Sequence, residues 1–307
     1  MTAAGVCGTD IHLWNGRDQL PDRHVLGHDF CATVDALGED VDASAVPIGA
    51  RVTVNPSNFC GACGPCRRGT PNLCTHGTVM GMQDPGCFQE YVVVRADRLI
   101  QLPDEVSDVA ASVLEPVAVA LHVHDRVKGI VPSGIAVTVG AGPIGLVTGR
   151  LLCATGYRWV AVEPLEERRD VAVAWGAHAT FAPDVDDEAL VSMLGDAPAV
   201  VVACVAGPDI APWTLRIAPA GSAIAVVGNS PSGYSSSVVM LRELSILGIR
   251  GGTRYDDAVR IAAARLVDLD SLVSHRRELD QAPQSFEELD AAPSSIVRMA
   301  LSLVNGN

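Results

Sequence analysis

Positive charge is scarce in this chain of 307 residues. Lys and Arg total 22 against 36 Asp and Glu, so the formal net charge is −14. A surface of this sign repels phosphate backbones, and we therefore expect no nucleic-acid partner. Apolar runs long enough to span a bilayer are also lacking, so we expect no membrane partner. Fixed-period repeats and low-complexity tracts are absent from the sequence.

The chain has what a globular protein needs. Apolar residues make up 48 % of the sequence, which excludes disorder. A chain of this length can form two domains, each with its own core. No signal-peptide pattern opens the sequence, and nine cysteines fit a reducing compartment, so we expect a cytoplasmic protein.

Four of the cysteines are crowded into one short stretch with the spacing C-x2-C-x2-C-x7-C. They are Cys60, Cys63, Cys66 and Cys74. A closed set of four thiolates is typical of a structural zinc site, which leaves no room for a substrate. Two alternatives are a disulfide pair, disfavoured in a reducing compartment, and an iron–sulfur cluster, whose usual spacings differ. We predict zinc.

A glycine-rich turn predicts a dinucleotide site. Gly140, Gly142 and Gly145 form G-x-G-x-x-G directly after an apolar strand and at the start of a helix that Pro143 and Ile144 open. In this context the glycines allow a tight turn, a close approach of the pyrophosphate and close helix–strand packing. The positive end of the helix then faces the phosphates. The alternative is a glycine-rich turn without a ligand.

The next strand ends in an acid that bears on the choice of cofactor. Glu163 follows Gly145 by 18 residues, where a carboxylate accepts hydrogen bonds from a ribose 2′-hydroxyl and repels a 2′-phosphate. This position predicts NAD. Arg168 and Arg169 leave NADP open, since a nearby arginine could hold its phosphate; alternatively they belong to a solvated helix face.

Two regions with different patterns suggest two domains. In the first third, β-prone runs at 31–38, 50–56 and 88–103 predict strands of a small β-barrel-like domain. Helical spacing follows at 107–127, with Ser107 as its cap and a break expected at Pro116. From 134 onward, strands and helices alternate, which predicts an α/β domain with a doubly wound parallel sheet.

Several motifs occur in the order found in one family. They are GVCGTD at 5–10, GHD at 27–29, the four cysteines, LEPVAVALH at 114–122 and VGAGPIG at 139–145. Together they resemble the zinc-containing medium-chain dehydrogenases, and they are more similar to the sorbitol and threonine branch than to the ethanol enzymes. The resemblance runs from Gly5 to near the carboxyl terminus.

The resemblance implies a division of the chain into three segments. They are a GroES-like β-barrel catalytic domain over 1–117, a Rossmann nucleotide-binding domain over 118–252 and a carboxyl-terminal segment over 253–307 that returns to the catalytic domain. Relatives usually carry two more strands before the GxCGTD motif. We therefore expect a barrel without its first strands and with an exposed sheet edge.

The resemblance also implies a second, catalytic zinc with an open coordination position. Cys7 and His28 match two ligands, and Glu115 matches the glutamate that the polyol and threonine branch uses in place of a third cysteine. Asp29 stands where relatives have a longer acid and could ligate or support the site. Taken singly, each of these three ligands has a structural alternative. Cys7 could be a small buried residue, His28 a core histidine and Glu115 an ordinary helix acid.

Thr9 and His12, which follow Cys7 by two and five residues, could move the proton of the alcohol. The resemblance implies that Thr9 accepts it, and the His12 imidazole could complete a relay. For His12 the alternative is a surface histidine.

These observations predict an enzyme that transfers hydride between a secondary alcohol of polyol, sugar or cyclitol type and NAD, with two Zn²⁺ per chain. We expect a small-molecule alcohol or ketone as substrate and a homodimer or homotetramer. The alternatives are an NADP-linked reductase on the same scaffold, or a catalytically silent zinc- and nucleotide-binding protein that lacks the opening strands. A zinc-free quinone or enoyl reductase is disfavoured by the four cysteines.

Overall fold

The computed structural model describes residues 1–16, 20, 24–44, 46–194, 199–252, 254–291 and 296–303, with the backbone alone at 191 and 194. Their strands are β1 Ala3–Val6, β2 Phe30–Thr33, β3 Arg51–Val54, β4 Ser57–Asn58, β5 Thr78–Val79, β6 Leu99–Gln101, β7 Gly134–Val139, β8 Tyr157–Val162, β9 Ala179–Phe181, β10 Val200–Ala203, β11 Ala223–Val226, β12 Ser245–Gly248, β13 His275–Glu278 and β14 Met299–Ser302. Their α-helices are α1 Gly8–Trp14, α2 Gly64–Arg67, α3 Asp108–Ala111, α4 Leu114–Lys128, α5 Pro143–Ala154, α6 Glu166–Ala174, α7 Asp187–Leu194, α8 Ile210–Ile217, α9 Ser236–Leu241, α10 Tyr255–Ala263, α11 Leu269–Leu272 and α12 Ala282–Asp290.

The chain divides into two compact units. The first unit combines Met1–Ala118 with Gly252–Asn307, and the second is Val119–Gly251. The predicted carboxyl-terminal segment includes positions 253, 292–295 and 304–307, which lie outside the described residues.

The main sheet of the first unit has the strand order β13-β14-β1-β2-β3-β6. Strand β1 lies in its interior, antiparallel to both β14 and β2, with Ala4 opposite Leu301 on one side and Phe30 on the other. All four residues of β1 are buried. The first and last of the described strands thus contribute to one core.

The predicted strands of the first unit are partly correct. Strands β2 and β3 fall within the predicted runs 31–38 and 50–56, apart from Phe30 at the start of β2, but they are shorter. The predicted strand 88–103 is wrong before β6: residues 88–95 form no strand, and Val93 is 98 % exposed. β-prone residues form a strand only where a neighbouring strand pairs with them, and none of the described strands pairs with this segment.

The helical run 107–127 is two helices, but the break is not at Pro116. Helix α3 begins after Ser107, whose hydroxyl accepts a hydrogen bond from the Ala110 amide at 3.0 Å, so the predicted cap is confirmed. The chain leaves helical geometry at 112–113, and Pro116 lies in the first turn of α4. Proline is tolerated there because a first-turn N–H has no intrahelical partner to lose.

The second unit contains the predicted parallel sheet. Its strand order is β12-β11-β10-β7-β8-β9, and every neighbouring pair is parallel. The order reverses at β7, the strand that leads into the glycine-rich turn, and ligands bind such sheets at this kind of switch point. Both faces of the sheet are covered, as a run such as Val200–Ala203, buried at every position, requires. The predicted doubly wound fold is confirmed.

Candidate functional site

The segment 60–74, here called the four-cysteine lobe, is flanked by a short two-stranded ladder. Strands β4 and β5 pair antiparallel just before and after the lobe, with Ser57 opposite Val79. The Asn58 side chain donates to the Asp84 carboxylate at 2.6 Å, which fastens the base of the ladder. Within the lobe, Gly61 and Gly69 take φ values of +70° and +78°, which favour glycine.

The sulfur atoms of this lobe are arranged as a metal site requires. All four Sγ atoms lie within 4.8 Å of one another. The distances from Cys63 to Cys66 and to Cys74 are 3.4 and 3.7 Å, and Cys74 lies 3.6 Å from Cys60. Tetrahedral zinc, with Zn–S bonds of about 2.3 Å, separates its sulfurs by roughly 3.8 Å. The nine cysteines form no disulfide.

The electrostatics of the lobe call for a cation. Backbone amides of Ala62 and Cys63 donate to the sulfur of Cys60 at 3.4 and 3.3 Å, and these bonds lower the pKa of Cys60. Burial and the neighbouring sulfurs raise the pKa of Cys66 to about 12, because a further negative charge is unfavourable there. A bound dication removes this conflict, so the residues fit Zn²⁺.

Cys7 and His28 are brought together by the pairing of β1 with β2. Cys7 follows β1 directly, and His28 lies two residues before β2. Since Ala4 pairs with Phe30 and the Gly5 amide donates to the Asp29 carbonyl at 2.8 Å, the two side chains meet at one end of this ladder.

Without a metal, the electrostatics of the pair favour a thiolate at Cys7 and a protonated imidazole at His28. Burial opposes a thiolate at Cys7, but a hydrogen bond with His28 and the charges of His28 and Arg298 outweigh it, so the pKa of Cys7 is lowered. Burial likewise opposes a charged His28, but Asp10 and Cys7 raise its pKa well above the usual value. Zinc needs a neutral imidazole, so its binding would release the His28 proton. A thiolate beside an imidazole is a ligand pair that zinc takes in open sites.

Asp10 is a part of this site that the sequence analysis did not assign. It is fully buried, and its carboxylate accepts hydrogen bonds from the Cys7 and Gly27 amides at 2.8 and 3.2 Å. Its Oδ1 also lies 3.4 Å from Nδ1 of His28. A carboxylate behind a histidine fixes the ring orientation and leaves the other nitrogen for a metal.

Glu115 approaches the pair from the start of α4. A Cβ at Gly5 would lie 2.2 Å from the Ser112 carbonyl, so the junction of α3 and α4 packs directly on β1. The Glu115 carboxylate is within electrostatic reach of His28 and accepts no hydrogen bond from the described part of the chain. Among described residues, only the four cysteines bring three or more ligand atoms all within 4.8 Å, so Cys7, His28 and Glu115 are neighbours without being a closed cluster.

The carboxylate of Asp29 already contacts Arg298 and the Glu115 amide. Its Oδ2 forms a buried ion pair with Arg298 at 2.8 Å, and its Oδ1 lies 3.4 Å from the Glu115 amide, which donates to it. Arg298 is only 4 % exposed and directly precedes β14 in the sequence. These contacts favour a supporting role for Asp29 over direct ligation.

Thr9 and His12 lie on one face of α1, three residues apart. Thr9 is partly buried and His12 is exposed. No hydrogen bond joins either side chain to Cys7 or His28 within the described ranges. A further buried side chain that the sequence analysis missed is Tyr255, whose pKa is raised well above its usual value by burial and by the charges of Glu115 and Asp29.

The glycine-rich turn of the second unit fits a pyrophosphate. Gly140 has a φ of +97°, and a Cβ at Gly145 would lie 1.9 Å from the Gly140 carbonyl oxygen, so both positions require glycine. A Cβ at Gly142 would meet no atom within 4 Å, which leaves open space at the start of α5. Pro143 and Ile144 form the first turn of this helix. First-turn amides without intrahelical partners can receive an anion there.

The acid at the end of β8 faces inward. Glu163 is 3 % exposed, and its two carboxylate oxygens accept hydrogen bonds from the amides of Ala141 at 2.8 Å and Leu165 at 3.1 Å. Arg168 lies partly buried in α6. The Arg169 guanidinium donates to the carbonyls of Glu163 and Pro164, at 2.8 and 2.7 Å.

Comparison with protein families agrees with both units. Residues 1–104 match the alcohol dehydrogenase GroES-like domain, and residues 143–267 match the zinc-binding dehydrogenase domain. The fold and the sites define an oxidoreductase built from a GroES-like and a Rossmann-like part. The chain belongs to the zinc-containing medium-chain dehydrogenase family.

Relatives of known name include L-threonine 3-dehydrogenases. That of Anaeromyxobacter dehalogenans is 30 % identical over 309 residues, which are 97 % of this chain and 88 % of the relative. That of Bacillus subtilis is 29 % identical over 299 residues, with coverage of 93 % and 85 %.

Solved structures share the fold and contain both kinds of nicotinamide cofactor. An alcohol dehydrogenase of Escherichia coli CFT073 complexed with NADH has a TM-score of 0.90 and 26 % identity, covering 98 % of this chain and 90 % of that one. A zinc-binding dehydrogenase of Sinorhizobium meliloti 1021 bound to NADP has a TM-score of 0.88 and 28 % identity, with the same coverage.

Proposed function

We propose that this chain is a zinc-dependent, NAD-linked dehydrogenase of secondary alcohols of the polyol, sugar or cyclitol type. The observation that carries the proposal is the Cys7–His28 pair, backed by Asp10 and approached by Glu115. One thiolate, one imidazole and one carboxylate leave a position at zinc for an alcohol oxygen.

When bound, Zn²⁺ supplies Lewis acidity that lowers the pKa of an alcohol, and NAD supplies a hydride acceptor. Cys7, His28 and Glu115 would hold the metal. Thr9 then accepts the proton of the substrate hydroxyl while its own hydroxyl proton passes to His12. Because His12 is exposed, it can release that proton to water.

A second candidate substrate is L-threonine, itself a secondary alcohol. It is favoured by the named relatives, which are L-threonine 3-dehydrogenases at 29–30 % identity. The test is a panel of polyols, sugars, cyclitols and L-threonine, followed by NADH absorbance. The proposal expects the largest kcat/KM for a polyol, sugar or cyclitol; a clear optimum for L-threonine would establish the second candidate, and no turnover with any secondary alcohol would contradict both.

For the cofactor, we propose NAD. Support comes from Glu163, because a carboxylate at the end of this strand disfavours a 2′-phosphate. We expect the dissociation constant of NADH to be at least about tenfold lower than that of NADPH, a difference of about 1.4 kcal/mol. Fluorescence titration of the nicotinamide checks this. Tighter binding of NADPH would mean that Arg168 governs the site.

We further propose that the protein is a homodimer or homotetramer. Strand β12 pairs only with β11 among the described strands, and an unpaired sheet edge favours association. Helix α9, just before β12, exposes Met240 and Leu241 at 68 and 77 %. We expect sedimentation at micromolar concentration to give at least twice the mass of the chain, 32.0 kDa. A monomer under those conditions would contradict the proposal.

We also propose a cytoplasmic location, because the thiolates of both zinc sites require reducing conditions. No helix within the described ranges is long and apolar enough to cross a membrane.

A further inference from the structure

We propose that Glu163 is a positioning residue for the pyrophosphate-binding turn, and that it sets the affinity for dinucleotides through this turn. The inference rests on the proposed nicotinamide dinucleotide cofactor. It goes beyond that proposal because the residue would act even on a ligand that has no ribose hydroxyl for it to bind.

The first support is the direction of the carboxylate. Glu163 is 3 % exposed, and Oε2 accepts the Ala141 amide at 2.8 Å while Oε1 accepts the Leu165 amide at 3.1 Å. Ala141 lies between Gly140 and Gly142, the two glycines whose conformation and open space fit the pyrophosphate. The carboxylate therefore holds the middle of the turn from beneath.

The second support is that two successive amides of the turn are held by two successive residues at the end of β8. The Gly140 amide donates to the Val162 carbonyl at 2.8 Å, and the Ala141 amide donates to Glu163. Gly140, with its φ of +97°, would otherwise be free to take several conformations, since glycine tolerates them all. These two bonds fix the direction in which the following peptides point.

The third support is energetic. A buried carboxylate is stable only when it is hydrogen-bonded, and bonds from an amide to a charged acceptor are among the stronger ones in proteins. A turn fixed before the ligand arrives loses less conformational entropy on binding. Removal of the carboxylate therefore weakens the binding of the pyrophosphate itself.

The experiment separates this role from acceptance of ribose hydroxyls. Glu163→Ala is compared with wild type for three probes: NADH, an NADH analogue lacking both hydroxyls of the adenosine ribose, and adenosine, which has no phosphate. The matched control is Glu166→Ala, which removes an exposed acid from the first turn of α6. Affinities are measured by fluorescence titration and competition with the full, zinc-loaded protein.

We expect the Glu163→Ala change to weaken the dideoxy analogue by about tenfold or more and NADH by at least that factor, and to weaken adenosine by much less. The proposal is overturned if the analogue binds both proteins equally, or if adenosine weakens as much as NADH. Glu166→Ala should change none of the three. A wild-type protein that binds neither NADH nor NADPH would instead refute the proposed cofactor.

A second variant guards against a folding defect. Glu163→Gln keeps the side-chain length and one oxygen acceptor, so it should recover part of the lost affinity. In the protein without nucleotide, amide hydrogen exchange of the peptide containing Gly140 and Ala141 should be faster in Glu163→Ala than in wild type, with Glu163→Gln between them. Unchanged exchange in this peptide would contradict the positioning role.

Discussion

Replacement of Glu115 by alanine is expected to reduce kcat/KM for the best alcohol by more than about 100-fold, beyond the 10–100-fold typical of residues that only support a metal site. If Glu115 completes the ligand set with Cys7 and His28, its loss leaves two ligands and an unbalanced charge. The zinc content should fall from two ions per chain toward one, while the fold survives because the four-cysteine lobe is untouched. Elemental analysis and steady-state kinetics on the same preparation check this.

Two variants serve as comparisons. Asp29→Asn keeps the shape beside Arg298 and should cost about 10–100-fold in activity or metal affinity. Glu105→Ala removes an exposed acid and should have no effect. If Asp29→Asn empties the site while Glu115→Ala stays active, the two roles are reversed; if neither variant loses activity, the open-zinc mechanism fails.

A second large effect is expected in the four-cysteine lobe. Cys60→Ser should lower the free energy of unfolding by about 4 kcal/mol, because loss of a structural metal is among the few single changes that cost so much. The Sγ atom of Cys60 accepts hydrogen bonds from two backbone amides and lies 3.6 Å from Sγ of Cys74. The substitution therefore removes one of the four sulfur ligands and leaves the zinc with only three. Denaturant unfolding and zinc analysis measure the two consequences.

Cys153→Ser is the matched control, since this partly exposed thiol on α5 lies outside the lobe. It should change the unfolding free energy by less than about 1 kcal/mol. Full stability together with a full zinc content in Cys60→Ser would show that the lobe is not a structural metal site.

The lobe and the glycine-rich turn could be predicted because each is local in sequence. Three cysteines at intervals of three residues lie close together in any surroundings, and Cys74 is only 14 residues from Cys60. In the same way, Gly140 and Gly145 belong to one turn, and the need for glycine at both follows from a single strand-to-helix connection.

Asp10 and Arg298 could not be assigned in this way. Arg298 meets Asp29 across 269 residues of sequence, through the pairing of β14 with β1, and no spacing rule connects them. The available signal was a charged residue at the edge of the apolar run that becomes β14. Asp10 was visible as part of GVCGTD, but its contact with His28 depends on the register of β1 with β2.

The prediction of a strand at 88–95 was wrong for a related reason. The β-branched residues of this segment favour extended backbone, but propensity does not supply a neighbouring strand. The prediction of a helix break at Pro116 was also wrong. Proline breaks a helix in its interior but is tolerated in the first turn, where Pro116 lies. The first error concerns the pairing partner of a segment and the second concerns position within a helix, and composition encodes neither.

The central claim is that a second zinc, held by Cys7, His28 and Glu115, is where the alcohol is oxidised. Anomalous diffraction at the zinc absorption edge, on crystals of the wild-type protein grown with zinc, tests it most directly. We predict two anomalous peaks per chain, one among the four cysteine sulfurs and one contacting Cys7, His28 and Glu115. A single peak in the lobe, with Cys7, His28 and Glu115 ordered and without metal, would contradict the account.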